Sequence, residues 1–209
     1  MVSERQKAVI GWALSNTSSL PPVIMQKHLF FYECLSKING EPYDFSDLKG
    51  YERGPVFGNV YAENTYNRDP FRASCLQCAK RARINESRAE QALFLTKIFG
   101  NGLSEFTHQF DIWSKKKDRI MSGEKQVPLE DKDFSAHDAQ LFVEIQKAYP
   151  KEYIDAVTVH QDYGMAFILP RGKDLTEEQW DVLCEIAQDP ETQSPIYVDV
   201  DENGGLLID

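Results

Sequence analysis

The sequence has no stretch of about 18 consecutive apolar residues, and no apolar signal-peptide core follows Met1. A membrane-spanning helix needs roughly 20 such residues, so the expectation is a cytoplasmic protein with no membrane partner. Cysteine is scarce, with four in 209 residues, which leaves no basis for a disulfide framework. Cys75 and Cys78 form a C-x-x-C, but a structural zinc usually needs a second Cys/His pair, and Cys34 and Cys184 stand alone. A redox role would place that motif between a strand and a helix start, which the polar flanks do not provide. Neither metal nor cofactor is expected. The four histidines form no H-E-x-x-H, and no G-x-S-x-G marks a nucleophile. Asp199 to Gly204 lacks the closing glutamate of a calcium loop. These absences point to a protein that is not an enzyme.

The C-terminal part also lacks positive charge. Residues 1–120 carry 17 Lys+Arg against 13 Asp+Glu, whereas residues 121–209 carry 6 against 20, so the net charge of −10 belongs to the second part. Such a surface repels nucleic-acid phosphates and steers basic proteins toward it; equally, it serves solubility alone. The basic runs Lys80-Arg81-Ala82-Arg83 and Lys115-Lys116-Lys117-Asp118-Arg119 are short and accompany no nucleic-acid-binding motif. Nucleic acid is therefore not an expected partner.

A hydrophobic content of 42% over 209 residues suffices for a sizeable core, in one domain with an appendage or two small domains. The apolar pattern predicts helices over Ser3 to Leu14, Met25 to Leu35, Glu86 to Phe99, Leu103 to Phe110 and Ala139 to Tyr149. Asn39-Gly40 stops the second of these. Ser135 caps the last, with Asp138 at its third position near the positive end of the helix dipole. Gly54-Pro55 reads as the start of a further helix, since proline suits a first helical turn, after an extended segment around Leu48 to Arg53. Beyond Pro150 the period changes. Ala156 to His160 and Met165 to Leu169 form a hairpin about Gln161-Asp162-Tyr163-Gly164, followed by a helix from Thr176 to about Ala187 and a strand over Ile196 to Val200. The expected fold class is α+β, with a mainly helical core over 1–150 and a small acidic β-β-α-β appendage over 151–209.

Three sequence blocks carry a further signal: Gln26-Lys27-His28-Leu29-Phe30-Phe31-Tyr32, Arg53-Gly54-Pro55-Val56-Phe57-Gly58-Asn59-Val60-Tyr61, and Leu103-Ser104-Glu105-Phe106-Thr107-His108 with Trp113. In content and order they resemble the Panacea domain family, the SocA-like antitoxins and phage-associated proteins, over roughly residues 5–150. Arg53 and the segment Asn67 to Arg88 depart from that pattern. The resemblance implies a helical scaffold that binds a partner protein, here a cognate toxin, neutralised by direct occlusion. A basic toxin would suit the acidic second part, and the SocA-like members add delivery of the toxin to a protease such as ClpXP.

Aromatic and arginine side chains make the strongest protein contacts, so Tyr51, Arg53 and Phe57 are the expected contact residues, joined by His108 and Trp113 of the third block. His108 reads either as a polar contact in a groove or as a core histidine bonded to backbone, and Phe57, Val60 and Tyr61 also have the spacing of core residues. Two other functions stay open. One is a phage or mobile-element protein acting on a host factor; the other is an enzyme using His108 with Glu105 or Asp111.

Overall fold

The computed structural model describes all residues, Met1 to Asp209. The fold is α+β, with eleven helices around two small sheets. In order these are α1 (Glu4–Asn16), α2 (Pro22–Ile38), β1 (Leu48–Tyr51), β2 (Gly54–Phe57), α3 (Gly58–Tyr66), α4 (Arg68–Ala79), α5 (Glu86–Ile98), α6 (Leu103–His108), α7 (Asp111–Ser114), α8 (Lys117–Met121), β3 (Val127–Pro128), α9 (Ala136–Ala148), α10 (Lys151–Ala156), β4 (Val157–Asp162), β5 (Met165–Pro170), α11 (Glu177–Ala187), β6 (Ile196–Val200) and β7 (Leu206–Ile208).

Helix α2 forms the axis of the larger part. Pro22 occupies its first turn, Asn39 follows its end, and Gly40 leaves at φ +67°, the conformation that glycine adopts without a Cβ penalty. Every residue from Met25 to Ser36 is buried, as befits a helix packed on all sides. Its aromatic face meets Phe106, Phe110 and Phe142, the last two stacked with centroids 4.6 Å apart. The polar residues of α2 are buried with the apolar ones, so each needs a partner inside the protein. Glu33, fully enclosed, accepts from Arg5 Nε and from the Asp44 N–H. Helix α4 packs on α1 so closely that a Cβ at Gly11 would overlap the carbonyl of Cys75. That places Cys75 in the helix crossing, where burial pushes its thiol up to about 12; it is an inert packing residue.

One expected helix start is corrected. Gly54-Pro55 does not open a helix but begins β2, which pairs antiparallel with β1 from Leu48↔Phe57 to Tyr51↔Gly54. Gly54 stands at φ +100°, outside any helical conformation, and the Gln26 side chain holds the Phe57 backbone extended. The helix starts at Gly58, whose N–H reaches the Asp47 carbonyl.

Ser135 caps α9 as expected, in a reciprocal capping box with Asp138. Asp138 also accepts from the N–H groups of Asp111 and Ile112, so one buried carboxylate joins the N-termini of α7 and α9.

In the C-terminal part, β4 and β5 form the expected hairpin, turning at Tyr163 (φ 48°) and Gly164 (φ 77°). Two successive positive φ values are the mark of a type I′ turn. After α11, β6 pairs parallel to β5, and β7 adds a fourth strand antiparallel to β6. The β-β-α-β expectation holds three strands here and is corrected to four; β7, three residues beyond Gly204-Gly205, is too short for a period of two to register. Ile168 turns toward the helical core, whereas Phe167 and Leu169 pack with Leu183, Ile196 and Val198 beneath α11, the alternation of a two-faced sheet. Polar bonds tie the sheet to α5 and its flanks: Ser194 Oγ to the Ile98 carbonyl (3.0 Å), Gln161 Nε2 to the Lys97 carbonyl (2.8 Å), and Tyr149 Oη to Tyr197 Oη (2.7 Å).

Candidate functional site

The three sequence blocks meet in space around the β1–β2 hairpin. Consecutive residues of α2 hold its second strand at both ends. The Gln26 amide accepts from the Phe57 N–H (2.8 Å) and donates to the Phe57 carbonyl (3.3 Å). Lys27 Nζ donates to the Arg53 carbonyl (2.7 Å) and to Thr107 Oγ1 on α6 (2.8 Å). Gly54 lies over that amine so tightly that a Cβ there would overlap both Nζ and the Thr107 hydroxyl. From the third block, Trp113 donates its indole N–H to the Tyr51 carbonyl (2.9 Å) and stacks on His108, centroids 3.8 Å apart and planes at 13°.

In front of this support lies a cleft of about 650 Å³ between the hairpin, the start of α2 and the loop after α8. Val23, Val56, Tyr51, Tyr61 and Ile120 supply its apolar walls, and Lys27 and Gln26 line it from α2. Tyr51 and Tyr61 stand 6.2 Å apart, and Tyr61 keeps 47% of its surface exposed. Arg53 and Lys125 are exposed at the edge, and neither forms an ion pair. A second hollow, of about 480 Å³, shares Val23, Glu52 and Arg53 with the first and continues past Glu105 and His108. The Glu52–Arg53 turn therefore forms a ridge with a hollow on either side.

No protein-family model, curated protein or solved structure matches the chain.

The five residues expected at a partner surface divide by depth. Tyr51 is half-buried, and Arg53 is exposed. Phe57 is corrected: it is fully buried, because strand alternation sends it into the core beside Leu48 and Val60 while Gln26 fixes its backbone, so it offers no contact surface. Trp113 is likewise enclosed, at 1% exposure, and its place is behind the hairpin. His108 is half-buried, its Nε2 has no partner, and burial followed by the Lys27 charge holds its pKa below the ordinary value. Asp111, weighed as its acidic partner, bonds instead to Ser135 (2.7 Å) and Lys115 (3.0 Å).

Sequence reasoning passed over Gln26, Lys27, Thr107 and Tyr61 as site residues. Polar residues at consecutive positions inside an apolar helix were the available signal for the first two, since such groups persist in a core only when bonded.

Asp111, His137 and Asp138 bring ligand-type atoms within 4.8 Å of one another. Three of the four carboxylate oxygens already accept protein donors: Asp111 Oδ2 from Ser135 and Lys115, Asp138 Oδ1 from Asp111 N, and Asp138 Oδ2 from Ile112 N and Ser135 N. The cluster is explained as helix capping. Much of the nearby basic run is paired as well, Lys115 with Asp111, Lys116 with Asp133 and Arg119 with Glu124. In the C-terminal part, α11 exposes Glu177, Glu178, Asp181 and Glu185, none of them in an ion pair. No helix is long and apolar enough to cross a membrane.

Proposed function

We propose that this chain is an antitoxin-type binding protein, not an enzyme, that neutralises a cognate protein toxin in the cytoplasm by occluding it. The contact surface in this reading is the ridge and its two hollows, with Tyr51, Arg53 and Tyr61 as anchors. One observation carries it: the three blocks that resemble the Panacea family converge on this hairpin, where buried Gln26, Lys27 and Trp113 each bond its backbone while Tyr61 and Arg53 are exposed. A rigid backbone presenting tyrosine and arginine suits tight association, since little side-chain or loop entropy is left to lose. The unpaired carboxylates of α11 favour a basic toxin, attracted at long range. Delivery of the bound toxin to a protease such as ClpXP is a further step open to the same complex.

Co-expression with the product of the adjacent gene tests the reading. Growth arrest by that product alone, relieved by this chain with recovery of a stable complex, is the expected result. Relief without a complex, or relief undiminished in an Arg53→Ala/Tyr61→Ala variant, would overturn the assigned mode or surface.

A further inference from the structure

Lys27 carries an electrostatic deficit that the protein itself does not fill. The residue is 2% exposed, and its amine meets two acceptors, the Arg53 carbonyl and Thr107 Oγ1. Thr107 gives its own hydroxyl proton to the Ser104 carbonyl (2.9 Å), which fixes it as an acceptor toward Lys27. An ammonium has three N–H groups, and the third finds no acceptor in the chain. No carboxylate lies within ion-pair distance either. The charged and titratable groups around it are Glu105 and His108 from α6, Glu52 and Arg53 from the hairpin turn, and Glu124 and Lys125 from the loop after α8. Among these, Glu105 favours the charged form only at longer range, and Glu124 is held by Arg119. Burying an ammonium without a counterion is costly, and desolvation brings Lys27 down to about 7.

The same residue is among those lining the 650 Å³ cleft. A concave, mainly apolar site with a few polar groups is the usual form of a small-molecule pocket, and its volume falls in the usual range of roughly 300–1,000 Å³. One buried cation, apolar walls and an edge where the free cations Arg53 and Lys125 outnumber the one free acid, Glu52, define the complementary chemistry: a single negative charge attached to an apolar body. A phosphate dianion would lose far more hydration on entering these walls than one lysine returns.

We propose that the cleft binds a small carboxylate bearing an apolar group, the carboxylate supplying the missing counterion of Lys27 while the apolar body lies against Tyr51, Tyr61 and Val56. This site overlaps the surface assigned to the toxin, since both use Tyr51 and Tyr61, but its argument does not rest on that reading. A free acid and the C-terminal carboxylate of a polypeptide share this chemistry.

The test uses the full chain, with 3-phenylpropionate as probe, 3-phenylpropionamide as its neutral counterpart and the peptide Gly-Gly-Phe as the polypeptide form. Carbon-13 NMR of the lysine ε-carbons follows Lys27 while the probe is titrated. Saturable binding of the acid, an upward move of the Lys27 midpoint, and at least about tenfold weaker binding of the amide are expected. Acid affinity should also fall about tenfold or more between pH 6 and pH 9, since the carboxylate binds the protonated amine. Tighter binding of Gly-Gly-Phe than of the free acid would assign the site to a chain terminus, and the reverse to a free metabolite-like acid; both orders support it. Lys27→Met should lose the preference of acid over amide. If that variant does not fold, the acid–amide comparison and the pH dependence in the parent protein still decide. Equal affinity for acid and amide, an unmoved Lys27 midpoint, or no binding at millimolar probe would overturn the proposal.

Discussion

The side-chain amide of Gln26 bonds both backbone groups of Phe57, accepting from its N–H at 2.8 Å and donating to its carbonyl at 3.3 Å. All four groups are buried, so Gln26 acts as a strand partner for the edge of β2, supplied by a helix. Gln26→Leu removes both bonds and leaves two buried backbone groups unpaired, with an expected loss of about 2–4 kcal/mol. Urea unfolding measures it, and a loss below about 1 kcal/mol would show that water or a shifted strand takes over.

Gly54→Ala should be at least as damaging. The added Cβ meets Lys27 Nζ and Thr107 Oγ1 in a backbone conformation, φ +100°, that side chains avoid. On the order of 3 kcal/mol is expected from the strain and the displaced bonds together. Gly123→Ala provides the control, since that glycine also has a positive φ but nothing within 4 Å of an added Cβ; its cost should be conformational only, and smaller.

Two buried groups on α2 oppose each other in pH dependence. His28 is lowered from 6.5 to about 4 by burial. Between those values the unfolded chain binds the extra proton, so this contribution to stability is complete above pH 6.5 and is lost as pH falls toward 4, by about 3 kcal/mol. Glu33 is raised from 4.5 to about 7, burial outweighing Arg5. Here the folded chain holds the extra proton, and stability present below pH 4.5 is lost as pH rises through 7. The slopes cancel in the overlap, so the parent protein should show a nearly flat stability between about pH 4.5 and 6.5, and Glu33→Gln should reveal a clear rise with pH. A Glu33→Gln profile as flat as the parent's would contradict both assignments.

At the proposed contact surface, Arg53→Ala and Tyr61→Ala should each weaken the proposed toxin complex by tenfold or more, about 1.4 kcal/mol or above, while leaving the unfolding midpoint nearly unchanged. Phe57→Ala should do the converse, costing about 3–5 kcal/mol of stability through a core cavity. Calorimetric titration beside thermal unfolding separates the two kinds of effect.

Replacing Glu177, Glu178, Asp181 and Glu185 of α11 by glutamine should slow association with the proposed basic toxin and flatten the dependence of its on-rate on salt. Stopped-flow association at low and high ionic strength reads this directly. An unchanged on-rate would remove electrostatic recruitment from the function.

Much of this architecture was legible locally. Helix and strand periods, the Asn39-Gly40 stop, the Ser135–Asp138 cap and the hairpin at Tyr163-Gly164 depend on neighbours within a few residues, and there the sequence pattern determined the outcome. So did the charge division between the two parts and the α+β class. Tertiary structure decided the rest. Gly54-Pro55 has the local chemistry of a helix start, yet it forms a strand, because Gln26, 31 residues earlier, offers the Phe57 backbone an extended pairing. Lys27 reads as a surface residue by type and is enclosed by Gly54 and Thr107, the latter 80 residues away. Phe57 and Tyr61 share one motif and part ways, one into the core and one onto the cleft, since α3 begins between them and turns their faces apart. A side chain's depth and its partners arise from the folding together of distant segments, and no local pattern carries that information.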